Sequence, residues 1–97
     1  MAGLTGTDEG AELIAIQALG HVAADEALLS RFMAVTGVEP GDLRAMAEER
    51  AFLTAVLDFL AGHEPDLVDF AEAIGRPPEK VIEARHRLAG ADHAGYE

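Results

Sequence analysis

Several residue types are scarce or missing in this chain of 97 residues, and each absence excludes a class of protein. Without cysteine there is no disulfide framework, no thiolate zinc site and no cysteine nucleophile. Tryptophan and asparagine are also absent, and valine, isoleucine and threonine together number only 14. Because β-branched and aromatic residues favour strands, this shortage argues against a sheet.

Long apolar runs are missing too. The longest, at 51–61, contains a threonine and an aspartate and is far shorter than the roughly 20 residues that cross a bilayer. Residues 1–7 have neither the positive charge nor the apolar run of a signal peptide. We therefore expect a cytoplasmic protein without a membrane partner.

Alanine, leucine, glutamate and arginine dominate what is present, and all four favour helix. Nineteen alanines leave few large apolar side chains, and the chain length allows one modest core. We predict an all-α fold, a compact bundle of five to six short helices. The single helical domain spans 8–90, between a flexible N-terminus at 1–7 and a flexible tail at 91–97.

Glycines and prolines mark the ends of the predicted helices. The six helices are expected at 8–23, 26–37, 40–48, 50–61, 65–75 and 78–90. The fourth, at 50–61, is apolar almost all round except for Thr54 and Asp58, which predicts a central helix surrounded by the others. Val35 in the second helix is expected in the core stripe of that helix.

The first helix carries apolar residues on two sides. We expect its core stripe to consist of Leu13, Ile16, Leu19 and Val22. That orientation leaves Ile14, Gln17 and His21 on the other side, as a small mixed patch suited to binding a partner. The alternative is that another helix covers this patch.

A shift of 38 residues aligns Gly37 with Gly75 and Pro40 with Pro78, so the chain contains two similar helix-turn-helix-like αα-corners. Duplication and shared cap chemistry both explain this weak repeat. In the second corner, Ala71, Gly75 and Val81 follow the spacing of the DNA-binding helix-turn-helix. The first turns of its second helix, however, hold prolines, which donate no hydrogen bond, and glutamates, which would repel phosphate.

Acidic residues outnumber basic ones by 18 to 7, for a net charge of −11. The excess lies in residues 1–75, whereas residues 76–97 are neutral and hold four of the seven bases. Those bases leave a nucleic-acid-associated accessory role of the pair 64–89 as an alternative. We favour the other interpretation, in which these bases meet the preference of a helix C-terminus for cations.

Catalytic and metal-binding patterns are not found. The one serine, Ser30, lies within a predicted helix, and the four histidines are dispersed without the spacing of a zinc helix. His63 stands beside Glu64 and Asp66, which we interpret as residues at the start of a helix rather than as metal ligands. We expect no enzyme activity, no metal and no cofactor.

A set of short runs distributed over most of the chain resembles one protein family. The runs are IAIQALGH at 14–21, RF at 31–32, TG at 36–37, Pro40, AFL at 51–53 and VLDFL at 56–60. They resemble a family of short alphaproteobacterial proteins known only as a domain of unknown function. The resemblance, which extends over about 11–88, implies a small all-α cytoplasmic bacterial protein and carries over no catalytic or binding residue.

Two classes of function remain at this point. The first is a small acidic protein-interaction or adaptor module without catalytic activity. Because this chain is acidic, its partner would be another protein with a basic surface. The chain itself would be a monomer or a weak homodimer. The second is the nucleic-acid-associated role, which the negative charge disfavours.

Overall fold

The structure, a computed structural model, describes the backbone of residues 8–93 and the side chains of 10–39 and 41–90. Six α-helices and one 3₁₀ turn form this part of the chain, and it contains no strand. The elements are α1 Asp8–Ala23, α2 Glu26–Thr36, the 3₁₀ turn Pro40–Asp42, α3 Leu43–Met46, α4 Arg50–Ala61, α5 Glu64–Ala73 and α6 Pro78–His93. The predicted all-α fold is confirmed.

Local signals in the sequence determine where several helices begin and end. The carboxylate of Asp25 caps α2 by accepting hydrogen bonds from the backbone N–H groups of Ala27 and Leu28, at 2.9 and 3.1 Å. Gly37 and Gly75 follow α2 and α5 with left-handed φ angles of 77° and 70°. A glycine adopts this conformation without the steric cost that a Cβ would bring, so both glycines end their helices as predicted.

The core is built mainly from three helices. α1, α4 and α6 pack pairwise against one another, α5 packs against α4 and α6, and α2 packs against α1. Among the described residues, α4 supplies more large buried side chains to this centre than α1 or α6 does: Phe52, Leu53, Val56, Leu57 and Leu60. The helix at 50–61 therefore lies in the core as predicted, although it shares the centre with α1 and α6.

Aromatic contacts attach α2 to this core. The ring of Phe32 is fully buried and meets the rings of Phe52 and Phe59 edge-on, with centroids 5.8 and 5.3 Å apart. One turn further along α2, Val35 is 73% exposed, so its predicted place in the core is wrong. Nothing in the described part of the chain covers that side of the last turn of α2.

The segment after α2 differs from the predicted helix at 40–48. A 3₁₀ turn leads into α3, which is only four residues long. Leu43 and Met46 are half-buried, and no residue of α3 is fully buried. Because a short helix depends on buried contacts for its stability, this segment has too little apolar surface to extend further. The first αα-corner thus lacks a full second helix.

The end of α6 also differs from the prediction. The helix continues through Gly90, where it was expected to stop, and ends at His93. Residues 1–7 and 94–97, for which flexible ends are predicted, lie outside the described residues.

None of the helices within 8–93 combines the length and the apolar character that crossing a membrane requires. α1 and α2 reach that length only when taken together, across a bend of 110°.

Candidate functional site

The most distinctive surface belongs to α1, which is rotated about its axis relative to the predicted orientation. Val22 is buried and Leu19 packs against the core as expected, but the other two residues of the predicted stripe are not buried. Leu13 and Ile16, expected in the core, are 56% and 49% exposed, whereas Ile14 is only 8% exposed. The buried side of α1 consists of Ala11, Ile14, Ala15, Ala18 and Val22. At about 3.6 residues per turn, these positions form one stripe opposite Leu13 and Ile16.

Close packing explains why the smaller residues face inward. α1 lies against both α4 and α6, and two of its alanines, Ala15 and Ala18, are completely buried. An alanine stripe allows neighbouring helices to approach closely, and the large side chains of α4 then fill the space between them. The alanines at 11, 15 and 18 were the sequence signal for this orientation, and ranking residues by size alone misses it.

The three residues predicted as a partner-binding patch are separated by this orientation. Ile14 lies in the core, so the expected outward position of Ile14 is wrong. Gln17 is exposed. His21 is half-buried, and its ring lies 5.3 Å from the ring of Phe70 on α5. Of the three, Gln17 remains on the surface together with Leu13 and Ile16.

We define the outer face of α1 as Leu13, Ile16, Gln17, Gly20 and Ala23, all of which are exposed. No Asp, Glu, Lys or Arg occurs between Glu12 and Asp25. At one end of the face, the Glu12 carboxylate pairs with the Arg50 guanidinium at 3.4 Å. At the other end, the Asp25 carboxylate is occupied by the α2 cap. The face is therefore electrically neutral on a protein with a net charge of −11.

The second αα-corner, formed by α5 and α6, has the packing that its sequence predicts. Ala71 and Val81 are buried, and the Arg76 N–H donates to the Ala71 carbonyl at 3.0 Å across the turn at Gly75. The exposed face of α6 is less suited to nucleic acid. Glu83 lies between two of its bases, 3.3 Å from Lys80 and 4.0 Å from Arg87.

A second polar cluster links α2 to α5. The Asp66 carboxylate, whose side chain is 14% exposed, accepts a hydrogen bond from the Arg31 guanidinium and lies 2.9 Å from Nδ1 of His63. The Arg31 guanidinium also lies 5.4 Å from the centre of the Phe59 ring. Through these contacts Arg31 joins α2 to α5 and to α4, so we assign the cluster a structural role.

No arrangement for catalysis or metal binding is seen among the described residues. No group of three His, Asp or Glu side chains converges there in the manner of a metal site. An open hollow between the end of α4 and α6 is lined by Asp58, Ala61, Gly62, Ile82 and Arg85, and its two charged residues pair with each other. Ser30 is exposed on α2.

Comparison with known protein families matches residues 8–91 to a family described as a protein of unknown function (DUF3572). Neither the curated proteins nor the solved structures contain a match to this chain. The resemblance drawn from the sequence is thus confirmed as a resemblance to a family of unknown function, while alphaproteobacterial origin stays a prediction.

Proposed function

The chain belongs to the DUF3572 family, and we propose that it is a small acidic protein-interaction or adaptor module without catalytic activity of its own. Its contact surface is the outer face of α1. The single observation that carries this proposal is the exposure of Leu13 and Ile16 side by side on a neutral helix face.

Burying these two side chains against a partner supplies the driving force for binding. Apolar surface removed from water contributes about 25 cal/mol per Å². A single exposed aliphatic residue is ordinary on a soluble protein, but two neighbours on successive turns offer a continuous patch. Gln17 beside them supplies a hydrogen-bonding group at the edge of the patch.

The charge of the remaining surface favours partners with basic groups around their contact patch. Most of the 18 acidic residues lie outside α1, and only seven bases oppose them in the whole chain. A negative field of this kind accelerates encounter with a positive partner and repels phosphate backbones. The acidic surface thus selects among partners, and the neutral face of α1 makes the contact.

Affinity capture from the native host at physiological salt, followed by mass spectrometry, tests the proposal. The test variant is Leu13→Glu combined with Ile16→Glu. The matched control is Ala34→Glu combined with Val35→Glu, because it adds the same two charges at exposed positions of α2. All three proteins should have the same helical circular dichroism and unfolding midpoint.

We expect the wild type and the control to retain one identified protein partner, and the test variant to lose it. Equal capture of that partner by all three proteins would contradict the proposal, because the outer face of α1 would then make no contact.

The second candidate function is a nucleic-acid-associated accessory role of the α5–α6 corner within 64–89. The observation in its favour is the buried Ala71 and Val81 around the left-handed Gly75, as in DNA-binding corners. Titration with duplex DNA at low salt separates the two candidates. Binding that falls steeply with added salt would support this role, and no binding at tens of micromolar, roughly the range of non-specific binders, would remove it.

A further inference from the structure

We propose that the occupant of the outer face of α1 is an amphipathic helix of another protein that carries lysine or arginine at both ends of its apolar side. This inference rests on the proposed function, because it names the class of partner for the surface assigned there. Three observations support it: the acidic residues at both ends of the face, the apolar stretch between them, and the open space over Gly20.

Acidic residues lie at both ends of the outer face. Residues 13–24 contain no Asp, Glu, Lys or Arg; Asp8, Glu9 and Glu12 precede this stretch, and Asp25 and Glu26 follow it. At the first end Arg50 pairs with Glu12 at 3.4 Å, and one positive charge does not balance three acids. At the second end Asp25 and Glu26 are both exposed. Both ends are therefore negative, whereas the middle of the face is neutral.

The distance between the two acidic ends fits a short helix. From Glu12 to Asp25 the chain rises about 20 Å along α1, at about 1.5 Å per residue. A partner helix of about 14 residues spans the same distance and brings one basic group to each end. Opposite charges at both ends fix the position of such a helix, because a shift by one turn moves a base away from its acid.

A helix suits this face better than an extended segment does. An extended chain would press its backbone N–H and C=O groups against an apolar helix surface that offers them no partner, whereas a helix satisfies its own backbone groups. Leu13, Ile16, Gly20 and Ala23 follow one another at intervals of three, four and three residues. This is the spacing of helices that pack along their length.

The seam formed by these four residues has a raised part and a low part. Leu13 and Ile16 are large and exposed. A Cβ built on Gly20, in contrast, has no heavy atom within 4 Å outside its own helix backbone and its chain neighbours. A large apolar side chain of the partner therefore fits over Gly20, and smaller ones fit over Leu13 and Ile16.

Charge separates this occupant from others. A second copy of the chain would bring the acids at the ends of its own α1 against the same acids here, on two molecules that each have a net charge of −11. Nucleic acid and anionic lipid are repelled for the same reason. A basic amphipathic helix covers the apolar seam and meets both acidic ends with opposite charge.

The contact is small, so the complex with an isolated helix should be weak. Two large side chains and their small neighbours form the seam, far fewer than the roughly 20–30 residues per side of a standard interface. The ion pairs at the ends lie at the rim, where they steer encounter and set the register more than they add affinity. We expect a micromolar dissociation constant.

Binding of a synthetic helical peptide to the full chain tests the inference. The lysine probe has about 14 residues, with leucines and alanines on one side, glutamines on the other and two lysines at each end. The glutamate probe has the same sequence with glutamates in place of the lysines. Fluorescence anisotropy of the labelled peptides measures the dissociation constants, and we expect the wild type to bind the lysine probe alone.

Two double variants separate contact at the face from general attraction to an acidic protein. Leu13→Glu with Ile16→Glu, and Ala34→Glu with Val35→Glu, add the same two negative charges at exposed positions. General attraction would make both bind the lysine probe at least as tightly as the wild type does. We expect the α2 variant to keep the wild-type affinity and the α1 variant to bind at least about tenfold more weakly, in spite of its added negative charge.

A second pair of variants tests the acidic end of the face. Glu26→Gln and Glu39→Gln each remove one negative charge from an exposed position, the first at the start of α2 and the second just beyond its end. Glu26→Gln should weaken binding of the lysine probe about two- to fivefold at low salt, and Glu39→Gln by less than about 1.5-fold. Equal effects would overturn the assigned position of the basic ends.

The inference is overturned if the lysine probe does not bind at about 1 mM, if the glutamate probe binds equally well, or if the α1 variant binds as tightly as the wild type. The proposed function would survive each of these results if capture of an identified partner still required Leu13 and Ile16. It would fail separately if capture were unaffected by their substitution.

Discussion

Glycine has opposite roles at two positions of this small chain. Gly20 lies inside α1, where an added methyl group would meet open space, whereas Gly37 ends α2 with a φ of 77°. Helix interiors favour alanine over glycine because glycine loses more backbone entropy on folding. A left-handed residue favours glycine because a Cβ is strained there.

The two glycine-to-alanine substitutions should therefore change stability in opposite directions. Gly20→Ala should raise the free energy of unfolding by about 0.5–1 kcal/mol. Gly37→Ala should lower it by about 1–2 kcal/mol. Urea unfolding followed by circular dichroism measures both free energies. Changes of the same sign would show that Gly20 does not lie in a helix interior or that Gly37 is not left-handed.

Among the elements, the helices whose ends carry strong local signals are the ones that the sequence predicts well. α2 begins after the Asp25 cap and ends at Gly37, and α5 ends just before the left-handed Gly75 as expected. α3 is shorter than its prediction because Pro40 supplies a helix start while Leu43 and Met46 supply little burial. Local chemistry marks where a helix can begin, and packing decides how far it extends.

The Asp25 cap should contribute measurably to the stability of α2. Asp25→Ala removes the acceptor of two backbone hydrogen bonds and should lower the free energy of unfolding by about 1 kcal/mol. The control is Asp69→Ala on the exposed side of α5, expected to change stability by less than about 0.5 kcal/mol. Equal losses in both variants would mean that the effect is one of charge and not of the cap.

At the scale of the whole molecule, the sequence predicts the fold class but not which side of α1 faces the core. Val81, Ala84 and Leu88 of α6 are buried, and their spacing of three and four residues is that of a helix with one main apolar side. α1 has apolar residues on both sides, so its own sequence permits two orientations. The choice depends on how closely α4 and α6 approach, which is a property of three helices together.

The candidate site follows from that choice. With Ile14 outward, the surface of α1 would combine one aliphatic residue with Gln17 and His21. With Ile14 inward, it presents Leu13 and Ile16 beside the open Gly20. Only Gln17 belongs to both versions, so the sequence pattern points to the same helix as the proposed contact face but to the wrong apolar residue.

The orientation of α1 decides which residues can form its exposed face, and comparing Ile14→Ala with Ile16→Ala measures that orientation. The residue type, the helix and the substitution are the same, and the two positions differ in burial. Urea unfolding should show a loss of about 2–4 kcal/mol for Ile14→Ala. Ile16→Ala should cost less than about 0.5 kcal/mol. The reverse order would mean that Ile16 belongs to the core and that α1 has no outer apolar face to offer a partner.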